Sequence, residues 1–144
     1  GYWLPTNGDS NRIRLVDLQD LNGVGKAVRI ENTDGGMIGV RQAVNVLSGV
    51  VYRLGAVARS SSGRTTNILF GGRLAFFIPG QPEYDIVWMT EYESWWERSI
   101  VFTNMVAGAA TIYVHLGYGG AATTGEFTDI RLDALDPHDP PQAP

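Results

Sequence analysis

Short runs of alternating apolar and polar residues recur along the chain, and turn residues separate them. Such alternation is typical of β-strands with one buried face, and helical periodicity is almost absent. The pattern predicts these strands: Lys26–Glu31, Met37–Leu47, Val50–Arg59, Thr65–Ile78, Tyr84–Thr90, Ser94–Thr103, Ala110–Tyr118 and Glu126–Leu132. About eight such strands without a helix predict an all-β fold, a jelly-roll β-sandwich of two antiparallel sheets.

The connections between these runs carry further predictions. Ser48-Gly49 separates the second and third runs so closely that we expect a tight hairpin there. Gly71-Gly72 predicts a bulge or bend in the fourth run. The N-terminal segment is irregular, with one candidate helical turn at Leu15–Leu21. Residues 136–144 hold four of the seven prolines, so we expect one domain over 1–135 and a Pro-rich linker or tail after it.

Composition narrows the classes of function. The chain of 144 residues is 44% hydrophobic and 18% charged, which is typical of a folded domain. Its net charge of −4 argues against general nucleic-acid binding. No apolar run approaches the roughly 18 residues of a membrane span, and the absence of cysteine excludes disulfides and thiolate chemistry. We therefore expect neither nucleic acid nor membrane as a partner.

Several segments of the sequence, taken in chain order, match a known series of strand motifs. Val40–Gly49 contains a Gln-x-Val strand and a glycine turn, and Val51–Arg59 follows with Tyr-x-Leu-x-Ala. Trp96 precedes Ile100–Thr103, which ends in Phe-Thr, and Gly125–Leu132 contains Phe-x-Asp-x-x-Leu. Together these segments resemble carbohydrate-binding modules of the family 4/9 type.

The resemblance implies a non-catalytic jelly roll that binds a polysaccharide or cell-surface glycan. Such modules occur on polysaccharide-active enzymes and at phage tail fibre tips, so it implies an extracellular or virion-surface location. A monomeric module and a homotrimeric fibre tip both remain open, as does a structural adhesion sandwich without a glycan site. Glu91 and Glu93 sit at a predicted turn with no apolar setting to raise a pKa, so no catalytic site is expected.

The densest aromatic region is the first candidate for sugar contact. Flat aromatic rings stack on the apolar C–H faces of sugars. Adjacent strand residues point to opposite faces. Because the resemblance gives Trp96 a core position, Trp95 is left as the outward-facing residue. The candidate contacts here are Trp95, Trp88, Tyr92 and Tyr84. For Trp88 and Tyr84 the alternative is a core face. For Trp95 it is packing at the core edge or under a loop, and for Tyr92 it is an ordinary, partly exposed tyrosine.

A second candidate surface lies opposite the core on two predicted strands. Arg53 and Arg59 alternate outward on one strand, and Tyr113 and His115 do so on the other. In the resembling family this position corresponds to the outward surface of one sheet. Guanidinium groups pair with carboxylates and vicinal hydroxyls, which would suit an acidic or hydroxyl-rich glycan. An ordinary solvated β-face is the alternative.

The resemblance also implies a structural calcium ion. Family members hold Ca²⁺ with oxygens of N-terminal and C-terminal strands. Asp129 matches the aspartate of the closing strand, and Asp9 and Glu31 could complete an oxygen shell. A hydrogen-bonded strand carboxylate is the alternative for Asp129.

Overall fold

The computed structural model describes residues 3–5, 13–17, 26–32, 38–61, 72–88, 94–116 and 123–135. These residues form ten strands: β1 Leu4–Pro5, β2 Ile13–Asp17, β3 Lys26–Asn32, β4 Ile38–Val46, β5 Val51–Ser61, β6 Gly72–Phe77, β7 Tyr84–Trp88, β8 Trp96–Thr103, β9 Gly108–Leu116 and β10 Thr123–Leu135. None of the described residues belongs to a helix, and so none forms a helical membrane span. The tail predicted at 136–144 lies outside the described ranges.

The strands pair into two antiparallel sheets of five. Sheet A has the order β1-β4-β9-β6-β7, and sheet B has the order β2-β3-β10-β5-β8. Strands β3 to β10 correspond to the eight predicted runs, and β1 and β2 add one edge strand to each sheet. The prediction of an all-β jelly-roll sandwich is therefore confirmed.

The N-terminal strand β2 corrects one local prediction. Leu15 and Asp17 lie in a ladder with β3, where Leu15 is opposite Val28. The predicted helical turn is therefore wrong over 15–17, and the rest of it lies outside the described residues. Pairing with a neighbouring strand satisfies the backbone there, and this outweighs a weak local helical preference.

The predicted hairpin at Ser48-Gly49 is also wrong. Strand β4 belongs to sheet A and β5 to sheet B, so this turn carries the chain across the sandwich. Gly49 has a φ of 81°, which favours glycine. The wholly buried Asn104, which follows β8, holds the turn. It accepts from the Gly49 amide at 2.7 Å, and its side-chain amide donates to the Leu47 carbonyl at 2.9 Å.

The core fills the space between the sheets with alternate residues of both. Its largest wholly buried side chains include Trp88, Phe76 and Leu74 from sheet A and Phe127, Ile30 and Leu54 from sheet B. Phe127 meets Trp88 edge to face at 5.8 Å. A Cβ at Gly72 would lie 2.4 Å from the Phe127 ring, so this glycine allows the two sheets to approach.

The edge strands β7 and β8 close one flank of the sandwich. The Trp88 indole Nε1 donates to the Trp96 carbonyl at 2.7 Å, and Arg98 donates to the Val87 carbonyl. These side chains satisfy backbone groups at the edges of both sheets. The flank therefore joins sheet A to sheet B through side-chain hydrogen bonds.

Candidate functional site

The sandwich has two outer surfaces, because residues directly opposite each other in antiparallel strands share a face. The outward positions of sheet A, which we call face A, are Leu4, Gly39, Arg41, Ala43, Asn45, Arg73, Ala75, Phe77, Asp85, Val87, Ala109, Thr111, Tyr113 and His115. The outward surface of sheet B, face B, includes Arg29, Glu31, Arg53, Val57, Arg59, Glu97, Val101, Glu126, Thr128, Asp129, Arg131 and Asp133.

One row of side chains crosses all five strands of face A. The registers place Leu4, Arg41, Tyr113, Ala75 and Asp85 opposite one another in that order. With neighbouring strands about 4.8 Å apart, the row is about 19 Å long. It combines an exposed apolar end, a guanidinium, an aromatic ring and a carboxylate.

A second row places His115 between Gly39 and Arg73. His115 is only 5% exposed although it points away from the core. A Cβ at Gly39 would come within 2.4 Å of the His115 Cβ, so the imidazole needs glycine beside it. Burial, together with the charge of Arg73, lowers the pKa of His115 to about 4. The imidazole is therefore neutral at pH 7.

The remaining groups of face A add an ion pair and an apolar surface. Arg73 Nε lies 2.9 Å from an Asp85 carboxylate oxygen. The Tyr113 ring meets the His115 ring edge to face at 5.9 Å. Phe77, in the row below, is 38% exposed. Face A thus places aromatic carbon and guanidinium donors side by side, which is the chemistry that contacts sugar C–H faces and hydroxyls.

Face B is instead organised by ion pairs, some between strands and some within one strand. Arg59 Nε donates to a Glu126 oxygen at 2.9 Å, and the Glu126 side chain is only 12% exposed. Arg131 lies 3.1 Å from Glu97, and its guanidinium also lies 3.8 Å from Asp129. Most charges of face B therefore have partners within the same surface.

The four residues predicted to share one outward surface do not share it. Arg53 and Arg59 lie on β5 in sheet B, whereas Tyr113 and His115 lie on β9 in sheet A. The prediction is wrong because both strands alternate in the same way but belong to different sheets. Arg53 is exposed, Arg59 and Tyr113 are half-buried, and His115 is buried.

One of the two adjacent tryptophans differs from the prediction. Trp96 lies opposite Ala58 and so has the inward direction expected of it. It is nevertheless 40% exposed, and the prediction of a core residue is wrong, because β8 is an edge strand and the ring reaches past the sheet rim. Arg98 lies 5.0 Å from its ring centre. Trp95 is half-buried, and the Arg59 guanidinium lies 4.8 Å from its ring centre.

Two other aromatic candidates pack in or against the core. Trp88 is wholly buried, so its ring has no face open to a sugar. Tyr84 is half-buried and stacks on Phe102 at 4.4 Å. Both placements match the core-packing alternative. Tyr92 lies outside the described residues.

The carboxylates named for calcium do not come together. Glu31 is opposite Thr124 on β10, and Asp129 lies five residues further along that strand, a separation of about 16 Å. Asp129 is exposed, with a φ of 50° at the bulge of β10. Asp9 is not among the described residues, which contain no group of three or more potential ligands. Glu31 and Asp129 thus do not fit one ion, and calcium binding stays a prediction, which unfolding with and without EDTA tests.

The pairing of strands adds residues that alternation alone did not select. Arg41 and Arg73 join Tyr113 and His115 on face A only because β4 and β6 flank β9, and Asp85 joins them because β7 lies beyond β6. The sequence contained one usable signal, since Arg41 has the opposite parity to the apolar Val40 of the same run. It did not show which strand lies beside it.

Neither a protein-family model nor a curated protein matches this sequence, whereas 59 chains of solved structures do. The carbohydrate-binding module TmCBM61, solved with β-1,4-galactotriose, is 21% identical, with 92% of this chain and 88% of that chain covered and a TM-score of 0.67. A CBM4 structure is 17% identical, with 92% and 86% covered and a TM-score of 0.63.

The fold also occurs inside larger proteins. The enzymatically active domain of bacteriophage CBA120 tailspike protein 4 is 10% identical, with 93% of this chain but only 19% of that chain covered and a TM-score of 0.67. At these identities the likeness establishes a shared fold. The chain therefore has the β-sandwich architecture found in carbohydrate-binding modules.

Proposed function

We propose that this domain is a non-catalytic glycan-binding module and that face A is its contact surface. The observation that carries the proposal is the row of Leu4, Arg41, Tyr113, Ala75 and Asp85 across sheet A. A sugar chain lying along this row would meet the exposed Leu4 and the half-buried Tyr113 ring with its C–H faces, whereas Ala75 is wholly buried. Guanidinium and carboxylate groups are available there for its hydroxyls.

Binding without hydrolysis fits the carboxylates of this face. Asp85 is the one carboxylate among the described outward positions of sheet A, and Arg73 lies 2.9 Å from it. Most glycoside hydrolases use a pair of carboxyl groups on either side of the scissile bond. A single ion-paired aspartate supports recognition rather than bond cleavage.

The fold neighbours support the same function. TmCBM61 was solved with an oligosaccharide, and the likeness to it extends over most of both chains. In this proposal the module directs a larger extracellular protein to its polysaccharide. The tailspike likeness favours a second candidate, a glycan-recognising domain on a virion surface. Sedimentation distinguishes the two, because a fibre tip is expected to be a homotrimer and an enzyme module a monomer.

A glycan array followed by affinity gel electrophoresis on a polysaccharide panel tests the proposal. Tyr113→Ala should weaken binding to a positive polysaccharide by about tenfold, because a central aromatic contact is lost. Arg53→Ala, an exposed position on face B, is the matched control and should bind as the unmodified domain does. Melting curves of both variants separate lost binding from lost folding.

The panel also distinguishes the remaining alternatives. Binding that survives Tyr113→Ala but is lost in Trp96→Ala would move the site to the flank between β7 and β8, where the Trp96 ring is 40% exposed. Binding to no polysaccharide in the panel would favour a structural adhesion sandwich. Either result contradicts the assignment of face A.

A further inference from the structure

We infer that the ligand of face A is an acidic polysaccharide whose sugars carry carboxylate groups. This inference rests on the proposed function and specifies its class of ligand. The inference that the ligand is acidic is based on the sign and the position of the charges on the two outer faces.

The charge of face A runs against that of the whole chain. The chain has a net charge of −4. The described outward positions of sheet A carry two arginines, Arg41 and Arg73, and one carboxylate, Asp85. Face B carries four arginines and five carboxylates among its described side chains. Face A is therefore the surface whose charge complements an anion.

The two arginines flank the aromatic centre of face A. Arg41 of β4 is opposite Tyr113, and Arg73 of β6 is opposite His115, so the two arginines belong to the strands on either side of β9. A sugar stacked on Tyr113 would therefore have an arginine-bearing strand on each side. Carboxylates project from the rim of a uronic acid ring, towards these flanking strands.

The chemistry of guanidinium suits a carboxylate better than a hydroxyl. Its planar fork forms two parallel charge-assisted hydrogen bonds with a carboxylate, and these are roughly twice as strong as neutral ones. Five N–H donors allow one guanidinium to hold a protein carboxylate and a ligand carboxylate together. Arg73 can therefore keep its ion pair with Asp85, at 2.9 Å, while it binds an acidic sugar.

The test compares acidic polymers with their uncharged esters and with a neutral polysaccharide. Binding of the full chain to polygalacturonate, to its fully methyl-esterified form and to neutral galactan is measured by affinity electrophoresis and calorimetry. A parallel set uses alginate and hyaluronan with their esterified forms. We expect at least one carboxylated polymer to bind about tenfold or more tightly than its ester, with an affinity that falls as salt is raised.

Variants assign the effect to face A. Arg41→Gln and Arg73→Gln should each weaken binding to the acidic polymer by about tenfold. Arg73→Lys should restore part of the loss, because it keeps the charge but not the fork. Arg53→Gln removes one exposed arginine from face B and serves as the matched control. Melting curves identify any variant that has lost its fold, and Arg41→Gln leaves the Arg73–Asp85 pair intact.

The outcomes separate this inference from the proposed function. Neutral polymers that bind as tightly as acidic ones, with no effect of Arg41→Gln or Arg73→Gln, overturn the inference and leave the proposed function standing. Equal losses in Arg53→Gln and Arg41→Gln overturn it as well, because general charge would then explain the binding. Binding to no polymer overturns the proposed function and the inference together.

Discussion

Face A and face B cover the same core with the same number of strands, yet their charged side chains are arranged differently. On face B, Arg59 pairs with Glu126, and Arg131 pairs with both Glu97 and Asp129. Charged side chains that already form ion pairs with one another do not need a ligand to compensate their charge. The ion pairs of face B are therefore explained by stability and solubility, and they are weak evidence for a binding site.

Face A contains features that a solvated sheet surface does not require. An antiparallel sheet can leave one face to water, but here the outward His115 is only 5% exposed. Burial of a histidine far enough to keep it neutral opposes folding at low pH. The buried, neutral imidazole of His115 is therefore a polar feature of face A that a surface built for solubility alone does not need.

The largest expected effect tests the core that both faces share. Trp88→Ala should lower the free energy of unfolding by about 3–5 kcal/mol, because Trp88 is wholly buried between the sheets. Trp96→Ala, the same substitution at a 40% exposed ring, should cost about 1–2 kcal/mol. Urea denaturation measures both. Equal losses would show that the flank is as buried as the centre and that Trp96 belongs to the core after all.

These two tryptophans also show what alternation can and cannot predict. Strand positions and inward or outward parity are local properties, so each of the eight predicted runs contains a strand and Trp96 has the predicted direction. Exposure depends on the position of a strand within its sheet. Because β8 is an edge strand, an inward ring can remain open to solvent.

The candidate site was predicted only in part for the same reason. Tyr113 and His115 were identified as outward residues, but Arg53 was grouped with them although it lies on the opposite face. A turn such as Ser48-Gly49 can join two paired strands or carry the chain between sheets, and apolar alternation is the same in both cases. Arg41 and Arg73 could be added to the site only once the strand order was known.

The second effect is a pH dependence that originates on face A. The folded-state pKa of His115, about 4, lies below its ordinary value of 6.5. The unfolded chain therefore binds more protons between these values, and stability is full above pH 6.5 and is lost as the pH falls towards 4. The loss should reach up to about 3 kcal/mol.

Urea unfolding from pH 7.5 to 4 measures this dependence. His115→Gln should flatten the profile. A profile unaffected by His115→Gln would mean that face A does not bury a neutral imidazole. Face A would then differ less from face B in the burial of outward polar groups.

The third effect concerns the close fit around His115. Gly39→Ala should lower the free energy of unfolding by about 1–3 kcal/mol, because the new Cβ would lie 2.0 Å from the Val114 carbonyl oxygen. Asn45→Ala, at an exposed outward position of the same strand, should change stability by less than about 0.5 kcal/mol. A tolerated Gly39→Ala would show that β4 and β9 are less tightly apposed on face A than the structure indicates.

The smallest effect lies on face B. Glu126→Gln should lower the free energy of unfolding by about 1 kcal/mol, because a hydrogen-bonded carboxylate that is 12% exposed loses its charge beside Arg59. Glu97→Gln should change it by less than about 0.5 kcal/mol, because the Glu97 side chain is 62% exposed where it meets Arg131. Since Arg59 lies over Trp95, Glu126→Gln should also alter tryptophan fluorescence.

Neither variant should weaken glycan binding. A loss of binding in Glu126→Gln as large as that of Tyr113→Ala would place the site on the Arg59 and Trp95 side, and the contrast between the faces would be reversed.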